Sequence, residues 1–141
     1  MINTLNELSY NDISIGQQES FMIIITESMV EKFSNLSGDL NPLHMDNEFA
    51  ESSSFKKRIV HGMLLASFFS QLIGMKLPGK NALYFSQTLN FRSPCYIDDE
   101  IEVIGKVIEK SDSTQIITVS TTIFNKSKTC LIDGIAKIIV R

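Results

Sequence analysis

At 141 residues, 43% of them hydrophobic and 21% charged, the chain has the size of one domain and enough apolar material to build a core without disulfides or metals. The formal net charge of −3, with 16 acidic against 13 basic side chains, excludes a mainly disordered chain and offers no basic footprint for nucleic acid. Cys95 and Cys130 form no CxxC pair, MINTLNELSYND carries neither a basic nor an apolar leader region, and the longest apolar stretch is too short for a bilayer. The expectation is therefore a reduced, cytoplasmic protein with no membrane segment, folded as one domain over residues 1–141.

Phe21–Ile25 is a brief Ile-rich run that predicts a buried strand. Thr26 can cap a helix in which Met29, Phe33 and Leu36 recur at i, i+4 and i+7, and Gly38 can stop it. Asp46 has the position of a second N-cap, opening a short helix through Phe49 and Ala50. Between the two lies Asp39-Leu-Asn-Pro-Leu-His44, a loop that Pro42 should stiffen by fixing its own φ and holding Asn41 extended. From Gly62 to Leu77, ten apolar residues surround a helix axis, the pattern of a helix buried on nearly all sides and roughly 24 Å long at ~1.5 Å per residue.

Beyond it the period changes to two. Leu83, Phe85, Leu89 and Phe91 share one face; Ile101, Val103 and Val107, then Ile117 to Ile123, then Ile132 to Val140 repeat the pattern. Asp98-Asp99, Ser111–Ser113 and Asn125–Ser127 are polar breaks suited to hairpin connections. An antiparallel sheet with one apolar face needs a cover, and the apolar helix is the element long enough to provide it. The fold class is α+β, with an antiparallel sheet wrapped around a long central helix.

Near the apolar helix, groups capable of acid–base work are few. The two histidines, His44 and His61, both lie in the irregular first half. Asp39 and His44 sit five residues apart across the Pro-stiffened turn, where one could hold and activate a water while the other delivers a proton. The alternative is that Asp39 closes a turn and His44 is a satisfied, partly buried residue. His61-Gly62 opens the apolar helix, whose first-turn N–H groups favour negative charge, and the absence of a side chain at Gly62 lets a ligand oxygen approach. Close packing is the other reason for a glycine there. Ser70, two turns along, could bond a ligand or its own helix backbone. His44, Asp46 and His61 are of zinc-ligand type, but no HxxxH or HxH pair and no neighbouring cysteine supports a site, so no metal or cofactor is expected. Lys56-Lys57-Arg58 could meet phosphates, although such a run ordinarily forms a solvated loop.

The segment F-S-N-L-S-G-D-L-N-P-L-H-x5-A, Phe33 to Ala50, resembles the signature of the MaoC-like (R)-specific enoyl-CoA hydratases, also called hydratase 2. F-x3-I-V-H-G-M-L-L-A-S from Phe55 to Ser67, Leu77-Pro-Gly-Lys80 and the strand half continue the likeness from about Ile13 onward. The resemblance implies a hot-dog domain working as a homodimer on an acyl-CoA thioester. It implies Asp39 and His44 as the catalytic pair, the Gly62 N–H as a polariser of the thioester carbonyl, and a supporting place for Ser70. Asn41, His61 and Ile73 join as supporting or substrate-binding residues, with Ile73 in the acyl channel. The activity implied is addition of water to a trans-2-enoyl thioester giving the (R)-3-hydroxyacyl thioester, with Asp39 as base and His44 as water-holder and proton donor. A 3-hydroxyacyl-[acyl carrier protein] dehydratase, a hot-dog thioesterase and a non-catalytic acyl-CoA-binding module share parts of this pattern.

Overall fold

The computed structural model describes residues 4–141, so Met1–Asn3, which belong to the reading of a start without a leader, lie outside the described residues. After a 3-10 turn at Tyr10–Asp12, the chain forms strand β1 (Gln18–Ile24) and helices α1 (Glu27–Ser37), α2 (Pro42–Met45), α3 (Asn47–Ser52) and α4 (Gly62–Gln71), the last continued by a π-helical turn, Leu72–Lys76. Strands β2 (Ala82–Gln87), β3 (Asn90–Phe91), β4 (Glu100–Ser111), β5 (Ile116–Asn125) and β6 (Cys130–Val140) complete it. The sheet is antiparallel in the order β1-β4-β5-β6-β2, with β3 also pairing β6.

Local chemistry accounts for the helix ends. Thr26 accepts from the Met29 N–H and Gly38 ends α1 in the left-handed region at φ 80°, while Asp46 accepts from Glu48 and Phe49 N–H at the start of α3. Alternation along β4, β5 and β6 sends Ile101, Val103, Val107, Ile117, Val119, Ile123, Ala136 and Ile138 inward, each fully buried. α4 lies across that face. Leu64, Leu65, Phe69 and Leu72 pack on Ile101, Val103, Ile123 and Leu131, while Ile73 and Leu77 join Tyr10, Val107 and Ile117 in a second cluster. Each such side chain contributes about 1.5–3 kcal/mol by leaving water. The helix approaches closely at Gly105, where a Cβ would stand 2.8 Å from Leu72 Cδ2. This sheet wrapped around a helix is the hot-dog arrangement. No helix of the described residues is long and apolar enough to cross a membrane.

Several expectations need correction. Phe21–Ile25 is not buried on both faces: β1 is an edge strand, and Met22 and Ile24 are exposed. The buried face of α1 centres on Val30 and Ser34, leaving Leu36 86% exposed. Residues 42–45 form a helical turn instead of a loop, because the Asn41 side chain caps it and Pro42 presets its first φ. α4 is not buried all round; Met63, Ser67 and Ser70 form an exposed stripe at i, i+4 and i+7. Leu83 and Phe85 do not face the core. They lie on edge strand β2, which a bulge between Tyr84 and Ser86 takes out of alternation, and both are exposed. Asp98-Asp99 joins no hairpin, since β3 pairs with β6 whereas β4 pairs with β1 and β5, so the connection crosses over. The other two breaks are hairpin turns.

Candidate active site

The left-handed Gly38 turns the chain out of α1, and two successive side-chain bonds then shape residues 39–44. Asp39 Oδ1 accepts from the Asn41 N–H (3.2 Å), and Asn41 Oδ1 accepts from the Leu43 N–H (3.0 Å). Asn41 is thus placed as a cap. The resulting turn carries His44 with its Nδ1 at 2.8 Å from the Ile59 carbonyl. A carbonyl only accepts, so Nδ1 bears the hydrogen and Nε2 is the free edge of the ring. That nitrogen faces Asp39 Oδ2 at 3.8 Å, with the Asp39 side chain 48% exposed and the His44 side chain 14%. The separation is too long for a direct hydrogen bond, and 3.8 Å is a span that one water oxygen bridging both atoms can cover.

Behind this pair lies His61, 2% exposed. Its Nε2–H donates to the Asp39 backbone carbonyl (3.2 Å) and to Ser34 Oγ (3.0 Å), whose own hydroxyl donates to Met45 Sδ (3.0 Å). Its ring stacks on that of His44, with centroids 4.0 Å apart and planes at 28°. Burial pushes the His61 imidazole below the ordinary histidine range, and the nearby His44 adds to this against the opposing bond to Asp39. A neutral His61 therefore supports the backbone of one member of the pair and the ring of the other.

Asp39, His44 and His61 each offer a ligand atom, all within 4.8 Å of one another. Imidazoles ligate in the ring plane, however, and two stacked rings aim their lone pairs side by side instead of at one point. The His61 nitrogen turned toward Asp39 also carries a hydrogen. The triad suits a water better than a cation, and Asp46, from the zinc-type trio of the sequence, instead caps α3.

Gly62 is the first residue of α4, and His61 makes no side-chain hydrogen bond to the first turn. A Cβ at Gly62 would meet Phe91 Cδ1 and Cε1 at 2.6 and 2.7 Å. The glycine is needed for packing as well as for access. Phe91, Phe55, Leu65, Pro94 and Leu131 surround an apolar cavity of about 320 Å³ beside it. Ser70 lies in a second apolar groove of about 340 Å³ with Phe33, Met63, Ala66, Tyr84 and Leu89. A hollow of about 420 Å³ around Ile15, Glu109, Thr118 and Lys137 contains none of these residues. Ile73 is 0% exposed in the second core cluster and is not brought to either groove, because the π-helical turn packs it against Tyr10 and Val107.

Sequence reasoning missed two residues. Ser34 is a fully buried hydroxyl in a helix, and a polar residue at the i+4 position from Val30 was the available signal. Arg58 is no solvated-loop residue: it is 8% exposed, with Nε donating to the His44 carbonyl (2.6 Å) and Nη1 to Glu27 Oε1 (2.7 Å). Burying a guanidinium requires such partners, and only the fold reveals them.

Residues 12–128 match the family model described as MaoC like domain. The (R)-specific enoyl-CoA hydratase of Aeromonas caviae is 37% identical over 127 residues, 90% of this chain and 95% of that protein. The mitochondrial 3-hydroxyacyl-[acyl-carrier-protein] dehydratase of Arabidopsis thaliana is 38% identical over 120 residues, 83% of this chain and 71% of that protein. Among solved structures, the unliganded R-hydratase PhaJ1 of Pseudomonas aeruginosa superposes with a TM-score of 0.92 at 33% identity, covering 96% of this chain and 87% of that one. The chain belongs to the MaoC-like family of hot-dog proteins.

Proposed function

We propose that the protein is an (R)-specific enoyl-CoA hydratase, a hydro-lyase formed by a single MaoC-like hot-dog domain over residues 1–141 and acting in the cytoplasm as a homodimer. The observation that carries this reading is the 3.8 Å gap between Asp39 Oδ2 and His44 Nε2, which one water can span, with the His44 ring stacked on His61, the residue that precedes Gly62 at the start of α4. The hydratase named among its relatives supports it.

In the hydration direction, a water held between the two side chains gives a proton to Asp39 as its oxygen bonds to C3 of the enoyl thioester. The C2=C3 electron pair moves toward the thioester oxygen, where the Gly62 N–H and the helix dipole stabilise the developing charge. His44, protonated on both nitrogens, keeps Ile59 with Nδ1–H and delivers the Nε2 proton to C2. A later transfer from Asp39 to His44 across the gap restores both groups. The acyl tail would lie in the apolar groove formed by Ser70, Phe33, Met63, Ala66, Tyr84 and Leu89. Leu83, Tyr84 and Phe85 leave edge strand β2 apolar and exposed, and a second copy covering that edge accounts for them.

The deciding experiment incubates the protein with crotonyl-CoA, following loss of the conjugated enoyl thioester and the configuration of the product. Formation of (R)-3-hydroxybutyryl-CoA is expected. Release of free thiol would show a thioesterase, binding without turnover a sensor, and a large preference for carrier-bound substrate the acyl carrier protein dehydratase.

A further inference from the structure

The α2 turn that carries His44 has four residues, far fewer than a helix needs to stand by itself, and its last carbonyls have no helical partners. Something outside the turn must hold it. Segment 58–59 does so at three points. The Ile59 N–H donates to the Leu43 carbonyl (3.3 Å), the Ile59 carbonyl accepts from His44 Nδ1–H (2.8 Å), and Arg58 Nε–H donates to the His44 carbonyl (2.6 Å). Arg58 is itself anchored on the first turn of α1, where Nη1–H donates to Glu27 Oε1 at 2.7 Å. The two bonds leave the guanidinium from different nitrogens, which the point charge of a lysine cannot reproduce.

We propose that Arg58 is a positioning residue for the hydration, one that holds the backbone of His44 and, through the adjoining Ile59 carbonyl, the tautomer and orientation of the His44 ring. The inference rests on the hydratase reading for its kinetic consequence and on the structure alone for its effect on the ring. Arg58 touches neither the water gap nor the apolar cavities, so it acts through His44. A displacement near 1 Å at a reacting group can cost on the order of a hundredfold in rate, the scale available to such a residue.

The test compares Arg58→Met, which keeps the stem and removes the fork, with Arg58→Lys and Glu27→Gln. Arg58→Met should lower kcat for crotonyl-CoA about tenfold to a hundredfold with KM within about twofold, and Arg58→Lys should recover part of the loss. In an Asp39→Asn background the same change should cost less than about threefold, because residues acting through one unit are non-additive. Independently of turnover, side-chain nitrogen NMR at a pH where the imidazole is neutral should show His44 as the Nδ1–H form in the wild type and a tautomer mixture in Arg58→Met. That spectrum separates this inference from the hydratase reading, which fails by itself if the wild type does not hydrate crotonyl-CoA. A wild-type tautomer in Arg58→Met, or a rate loss equal to the loss of folded protein, overturns the proposal. If Arg58→Met does not fold, wild-type kcat in both Arg58→Lys and Glu27→Gln overturns it equally.

Discussion

Asp39→Asn probes the proposed catalytic pair with little disturbance. The amide keeps an oxygen to accept from the Asn41 N–H, so the turn retains its shape, while an NH₂ replaces the carboxylate oxygen that faces His44 Nε2 at 3.8 Å. The residue is half exposed, so stability should move by no more than about 0.5 kcal/mol. The proposed base is lost outright. General acid–base catalysis supplies roughly 10²–10⁴ in rate, which at ~1.36 kcal/mol per decade is about 2.7–5.4 kcal/mol on the barrier. His44→Gln removes the proposed proton donor and the Nδ1–H bond to Ile59, so it adds a structural cost of about 1 kcal/mol, a few degrees in Tm. Crotonyl-CoA hydration, thermal melts and native mass should be measured for both variants and for the double variant. Each single change should cost 10²–10⁴ or thereabouts, and the pair much less than the product, since both act on one water. Activity within about threefold of wild type in Asp39→Asn, or fully multiplicative losses, would refute the reasoning. Insolubility of both single variants would show instead that the turn is structural.

Gly62→Ala places a methyl 2.6–2.7 Å from the Phe91 ring, which at 54% exposure can swing outward, so folding should survive while kcat/KM for crotonyl-CoA falls about tenfold or more; an unchanged kcat/KM would remove the helix start from substrate binding. Ile73→Ala should cost about 2–5 kcal/mol of stability and leave the chain-length profile unaltered, because the residue lies in the sealed core; a shift toward longer enoyl substrates would show instead that it borders the acyl groove. Burial holds His61 below the unfolded value of 6.5, so between those two values the unfolded chain binds a proton that the folded one refuses. Stability from this source is complete above that unfolded value and is lost as pH falls below it; Tm should drop more between pH 7 and 5.5 (about 1.5 pH units) in wild type than in His61→Gln, and equal drops would contradict the assignment. Light scattering at micromolar concentration should report a dimer, and a mass of 15.9 kDa would exclude it.

The local geometry of the candidate site was legible because its determinants are close in sequence. Thr26 and Gly38 bound α1 through bonds within four residues, and Asp46 starts α3 in the same way. Asp39, Asn41 and His44 are brought together by two side-chain turns spanning two residues each. The inward faces of β4, β5 and β6 follow from alternation, a property of each strand taken singly.

Tertiary structure decided whatever depends on which strand or loop lies opposite. Alternation in Leu83 and Phe85 could not show that β2 is an edge strand with a bulge, since an edge is defined by the absence of a neighbour. Polar residues at Asp98-Asp99 resemble a hairpin turn although the chain there crosses the fold. The sequence allowed Arg58 to be a solvated base, Ser34 an ordinary helix residue and Ile73 a channel wall. The fold sets Arg58 on the His44 carbonyl, Ser34 on His61 and Ile73 in the sealed core. Periodicity and capping are set by bonds between residues a few places apart, so the sequence contains them directly. Contacts between residues 14 to 31 places apart, such as those of Arg58 and Ser34, exist only after the helix has been seated in the sheet, because burial is what makes a polar side chain seek those partners.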